Sequence, residues 1–227
     1  MSDSERDDPH AGQPIRTAGT PLAEARAAVI MVHGRGASAE SILSLAPAVG
    51  APGVAFLAPQ AGGSQGRQWY PLSFMAPIER NEPGITSGLR AIGRVLAQVA
   101  AAGIPPEQTL FLGFSQGACL ASEFVARNAR RYGGLAVLSG ALIGPDHTPR
   151  NYPGSLDGTS VFLGCSDVDS HIPAVRVEDS AEVLRRLGGE VTMRLYPGMG
   201  HLVNDDEIEA VRGMVSRTAA ARAMPPR

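Results

Sequence analysis

Residues 113–117 read Gly-Phe-Ser-Gln-Gly, a Gly-x-Ser-x-Gly pentapeptide that can present the Ser115 hydroxyl as a nucleophile. The surrounding residues supply what such a turn needs. Thr109-Leu110-Phe111-Leu112 is an apolar run that reads as a strand leading in, and Ala118-Cys119-Leu120-Ala121 opens an apolar helix leading out. A serine between them sits in a strained backbone, and side chains two residues to either side would collide across the turn, so glycine is required there. The chemistry that fits is acyl transfer: attack on a carbonyl, proton removal by an imidazole, and stabilisation of the oxyanion by backbone N–H groups. The plainer alternative is an ordinary strand-to-helix turn.

Five histidines compete as the base. His10 lies in a polar N-terminal stretch and His147 in a Pro/Gly-rich loop, so neither is expected to be held rigidly. His33 ends an apolar run and is expected to bond nearby loop backbone. His201 follows the apolar stretch Val191–Tyr196 through Pro197-Gly198-Met199-Gly200, a turn that can carry the imidazole over a sheet edge. It also precedes a final helix and completes the order serine, aspartate, histidine. The acid must follow the strand at 160–164, where both Asp167 and Asp169 stand. His171, two residues on, is expected at the mouth of the site and not in the triad.

A second oxyanion donor belongs on the loop after the first strong strand. That loop is His33-Gly34-Arg35-Gly36. The expected donors are the backbone N–H groups of Arg35 and of Gln116, the residue after the nucleophile. The Arg35 side chain is expected in solvent or bracing a loop, with an anionic substrate group as the alternative contact. Trp69 and Tyr70, in the long loop 60–83, are candidate linings of an acyl pocket. The alternative for Trp69 is to anchor that loop against the sheet.

These residues need a scaffold, and the hydrophobic pattern describes one. Ala27–Val32 is a continuous apolar run, as a strand covered on both faces should be. Further strands are expected at 54–58, 109–114, 135–139, 160–164 and 191–196, and helices at 39–49, 84–102, 116–130, 174–187 and 205–221. Alternation of this kind implies βαβ units in a mostly parallel, doubly wound α/β sheet with ligands at the carboxyl ends of the strands. Residues 1–20 are polar, with Gly and Pro, and read as a disordered or loosely attached arm; 21–227 read as one domain.

Composition excludes other classes. Twenty basic against twenty-two acidic residues give a net charge of −2 with no basic stripe, so a nucleic-acid partner has no electrostatic support. No apolar run approaches the roughly 20 residues that span a bilayer. The acidic start lacks the apolar core of a secretory signal, so the cytoplasm is the expected compartment. Cys119 and Cys165 cannot make a disulfide framework and are expected to pack as small hydrophobes. No metal or organic cofactor is expected, and a homodimer is an open option.

Taken together, the motifs resemble the phospholipase/carboxylesterase family of α/β hydrolases, which includes acyl-protein thioesterases and lysophospholipases. The likeness runs from residue 27 to 215. It is carried by His-Gly-x-Gly at 33–36, Trp69-Tyr70, Glu82-Pro83-Gly84-Ile85, Gly-Ile-Pro at 103–105, Gly-Phe-Ser-Gln-Gly at 113–117, Leu138-Ser139-Gly140, Asp-x-x-Ile-Pro at 169–173 and Gly-x-Gly-His at 198–201. The resemblance implies an α/β-hydrolase fold without a large cap and places the acid on Asp169. It also implies oxyanion donors at Arg35 and Gln116. The first loop, His-Gly-Arg-Gly-Ala, looks bacterial. Thioesterases of the family often carry an aromatic residue where this chain has Ala141, which implies differently shaped acyl loops. Dienelactone hydrolases share the fold but use a cysteine where this chain has Ser115. The expected activity is hydrolysis of short- to medium-chain carboxylic esters. The alternatives are lysophospholipase or thioesterase action on longer chains, or a non-catalytic ligand-binding protein of the same fold.

Overall fold

The computed structural model describes residues 8–62 and 67–221. Seven strands form one sheet: β1 (Ile15–Gly19), β2 (Ala27–Val32), β3 (Val54–Pro59), β4 (Thr109–Phe114), β5 (Gly134–Leu138), β6 (Ser160–Ser166) and β7 (Glu190–Tyr196). Their spatial order is β1-β3-β2-β4-β5-β6-β7. Every neighbouring pair is parallel except β1 with β3. The helices are α1 (Ala39–Leu43), α2 (Ala46–Val49), α3 (Gly84–Ala101), α4 (Gln116–Arg127), α5 (Ala174–Arg186) and α6 (Asp205–Ala220).

Two apolar layers hold the sheet. Ile30, Leu57, Phe111 and Val137 face one side, packing with α3, α4 and α5; Val29, Met31, Leu110 and Leu112 face the other, packing with α1, α2 and α6. Strands buried on both faces explain why β2, β3 and β5 are uninterrupted apolar runs. The helix expected over 39–49 is two short ones, because Pro47 enters the first turn of α2 and cannot continue the hydrogen-bond ladder of α1. Among the described residues no helix is long and apolar enough to cross a membrane, and no inserted cap covers the sheet edge.

Part of the N-terminal expectation is corrected. Residues 15–19 are not a loose arm but an antiparallel edge strand, paired from Ile15–Pro59 to Gly19–Ala55. His10 is buried at 2% exposure. Only Ile15 and Ala18 of this strand face the interior, too few apolar residues to show a pattern, so backbone pairing to β3 carries the attachment. Residues 1–7 lie outside the described residues.

Chain reversal places the site. From β2 the chain moves outward to β3, and β4 returns on the other side of β2, so the loops after β2 and β4 part above the sheet and leave a crevice between them. The loops after β2, β3, β4, β6 and β7 all emerge at this edge. Native β1 pairing has a simple consequence: limited trypsin digestion should leave the Arg16–Thr17 bond intact under conditions that cut it in urea. Rapid cleavage there in the folded protein would contradict the pairing.

Candidate active site

Ser115 stands between β4 and α4 with φ 55° and ψ −123°, a backbone state that side chains rarely adopt. Two glycines make it possible. A Cβ on Gly117 would lie 2.1 Å from the Val32 carbonyl oxygen, and one on Gly113 would lie 2.5 Å from the Ala118 Cα. The tight turn lifts the serine hydroxyl to the top of the sheet.

His201 reaches it from the loop after β7. His201 Nε2 is 2.9 Å from Ser115 Oγ, and Nδ1 is 2.7 Å from Asp169 Oδ2. The Nδ1–H donates to the carboxylate, which leaves Nε2 to accept from the serine hydroxyl. Asp169 is fully enclosed. Burial alone would raise its carboxyl, but hydrogen bonds from His201 and from the N–H groups of His171 and Ile172 outweigh burial and hold it below the ordinary value. The Asp169 carboxyl therefore stays ionised at neutral pH. Asp167 instead accepts from the Gly198 N–H at 2.8 Å, shaping the histidine loop from outside the line.

Neither the Arg35 nor the Gln116 backbone N–H has a hydrogen-bond partner among the described residues. Both residues line the same cleft as Ser115 and His201, a depression of about 560 Å³. Tyr70, Phe74 and Cys119 form part of its wall. Burial raises the Tyr70 phenol well above its usual value and pushes the Cys119 thiol up to about 11, so this wall is uncharged at neutral pH. His171 stands at the mouth, its ring 4.8 Å from that of His201. Trp69 does not line the cleft. It is wholly buried, its indole N–H donating to the His33 carbonyl at 2.8 Å, and thus anchors its loop. Among the described residues no group of three His, Cys, Asp or Glu is arranged to hold a metal ion.

The sequence profile of the family described as Phospholipase/Carboxylesterase matches residues 18–218. The chain belongs to that family. As a member it is a carboxylic-ester hydrolase. A phospholipase/carboxylesterase of Dyadobacter fermentans is similar to it in structure, with TM-score 0.85 and 41% identity over 90% of this chain and 97% of that one. Acyl-protein thioesterase 1 of Saccharomyces cerevisiae is 26% identical over 169 residues, 70% of this chain and 72% of its own length. Carboxylesterase SOBER1 of Arabidopsis thaliana has the same fold, with TM-score 0.72 at 21% identity over 86% of this chain and 99% of its own.

Several further side chains of this hydrolase support the site, one as expected and others that sequence patterns did not announce. The Arg35 guanidinium donates to the carbonyls of Pro71 (2.9 Å) and Leu72 (2.6 Å) and to the Gln68 side chain, so it braces a loop and is not directed at an anionic substrate. The Gln116 side chain accepts from the Trp69 N–H and donates to the Tyr70 carbonyl. Ser166 Oγ accepts from Val168 and Gly200, tying the acid loop to the histidine loop. The Cys165 thiol, pushed up to about 12 chiefly by burial, stays protonated 3.6 Å from Asp169 Oδ2. His33 accepts from the Ala61 N–H through Nε2 and donates from Nδ1 to the Gly34 carbonyl, which fits the loop-bonding expectation.

The two aspartates make the geometry testable. Asp169→Asn should lower kcat by roughly 10³- to 10⁴-fold, because the amide no longer holds the required histidine tautomer. Asp167→Asn should keep most of the activity. Steady-state kinetics on an activated ester checks both, and the opposite ranking would mean that the acid is Asp167.

Proposed function

We propose that the chain is a serine carboxylesterase acting on short- to medium-chain esters through an acyl-enzyme, with Ser115 as nucleophile, His201 as general base and Asp169 as the acid that orients it. The observation that supports this best is the unbroken line from Asp169 Oδ2 through His201 to Ser115 Oγ, with contacts of 2.7 and 2.9 Å, opening on the cleft that Tyr70, Phe74 and Cys119 help to wall.

In the first half-reaction Ser115 Oγ bonds to the ester carbonyl carbon while His201 Nε2 takes its proton. The carbonyl oxygen gains the negative charge and is met by the Arg35 and Gln116 backbone N–H groups. Each such donor is worth about 3–4 kcal/mol in the transition state. The carbon–oxygen bond to the alcohol then breaks, and the imidazolium returns the proton to the departing oxygen. Water repeats the sequence on the acyl-enzyme, releasing the carboxylic acid and restoring the hydroxyl. The imidazolium formed in each half is stabilised by the ionised Asp169.

The cleft is what supports a short to medium acyl length. It holds about 560 Å³, and the large buried side chains Tyr70 and Phe74 are part of its lining. A second reading, thioesterase action on longer chains, draws on relatives named acyl-protein thioesterase. Assays with p-nitrophenyl butyrate, p-nitrophenyl palmitate, lysophosphatidylcholine and a palmitoyl thioester separate the two. The expected result is highest kcat/KM on the butyrate ester, abolished in Ser115→Ala, with a fluorophosphonate labelling the wild type alone. Preference for the palmitoyl substrates would favour the second reading, and a folded wild type that resists the fluorophosphonate would favour a binding protein.

A further inference from the structure

The family match begins at residue 18, yet the segment before it enters the support of the candidate oxyanion hole. His10 packs edge-on against Trp69, with ring centroids 5.1 Å apart and planes at 70°. Its Nδ1 accepts from the Gly62 N–H at 3.0 Å, and its Nε2–H donates to the Trp69 carbonyl at 2.9 Å. One ring thus joins both arms of the loop after β3, and only the tautomer with hydrogen on Nε2 can do so. The segment is itself anchored on α3. The His10 N–H donates to Ser87 Oγ at 3.0 Å, and Arg94 donates to the His10 carbonyl and to Asp8, each at 3.0 Å.

On its far side Trp69 holds the side chain of one residue whose N–H is an expected oxyanion donor and the strand end that leads to the other. Its N–H donates to the Gln116 side chain at 2.9 Å, and its indole N–H donates to the carbonyl of His33, two residues before Arg35. A shift of Trp69 would therefore pull on the Gln116 side chain and on the His33–Gly34 peptide, each adjoining a peptide group that must aim at the oxyanion. We propose that His10 is a positioning residue for the oxyanion hole, holding Trp69 so that the Arg35 and Gln116 N–H groups are aligned before substrate arrives. The inference rests on the serine-esterase reading. It assigns a catalytic consequence to a segment that lies before the family's matched domain.

Loss of alignment weakens the transition state more than the ground state, so the effect belongs on kcat. On p-nitrophenyl butyrate, His10→Ala should lower kcat by about 10-fold, less than removing a donor outright, with KM within about two-fold. His10→Gln, whose amide can donate to the Trp69 carbonyl, should recover part of the loss. His10→Asn keeps an acceptor for Gly62 but falls short of Trp69, and should not recover it. Thr218→Val, which removes the hydrogen bond to the Gly133 carbonyl at the opposite end of the sheet, should lower the thermal midpoint and leave kcat unchanged. Should His10→Ala fail to fold, the Gln and Asn variants make the same comparison. Wild-type kcat in folded His10→Ala or His10→Asn, a rise in KM alone, or losses that merely track thermal midpoint in all variants would overturn the proposal. An inactive Ser115→Ala beside full-rate His10 variants would sink this inference only; an active Ser115→Ala would sink the serine-esterase reading itself.

Discussion

The geometry at Ser115 depends on a backbone that is unfavourable in isolation. A non-glycine residue at φ 55° and ψ −123° carries a cost of order 1–3 kcal/mol, sustained only because its surroundings leave no alternative. β4 is fixed between β2 and β5, and α4 is packed across the sheet by Gly117 lying against the Val32 carbonyl. The Ser115 N–H is itself tied to the Leu138 carbonyl at 2.9 Å. With strand and helix both immobile, the turn between them has one shape. That shape puts the hydroxyl where an imidazole from β7 can meet it.

The loops above the sheet are held with comparable economy. Arg35 and Gln116, which both line the cleft, send their side chains into the same segment, 68–72. Ser166 and Asp167 do the corresponding work on the histidine side, each accepting from a glycine N–H of the loop that carries His201. These bonds satisfy backbone groups that would otherwise be stranded in irregular structure, and they fix loop positions that hydrophobic packing reaches poorly.

Much of this was legible in the sequence, for identifiable reasons. β2 and β4 are apolar on both faces and stand out as runs, and the pentapeptide around Ser115, weak by itself, gains meaning from the apolar strand before it and the apolar helix after it. His201 was found from its place after a strand and a glycine turn, whereas residue types alone left Asp167 and Asp169 level. Family resemblance favoured Asp169, and the geometry brings its carboxylate to His201. The first strand was not legible, because Ile15-Arg16-Thr17-Ala18-Gly19 attaches by backbone pairing, to which side-chain patterns are blind. Trp69 was ambiguous for a related reason. An indole beside a cleft can face it or anchor a loop, and only its hydrogen bond to the His33 carbonyl decides. That Arg35 braces a loop was within expectation, but its partner 36 residues away, and the role of His10 as a brace across 59 residues, lie beyond any local spacing.

In the proposed reaction the Ser115 hydroxyl attacks a carbonyl whose developing charge falls between two backbone N–H groups. A crystal structure of the protein after reaction with a butyl fluorophosphonate tests it most directly. Phosphorus is expected on Ser115 Oγ, with the phosphoryl oxygen about 2.7–3.1 Å from both the Arg35 and the Gln116 nitrogens. A phosphoryl oxygen pointing to solvent with those amides unengaged, or phosphorus on another residue, would contradict it.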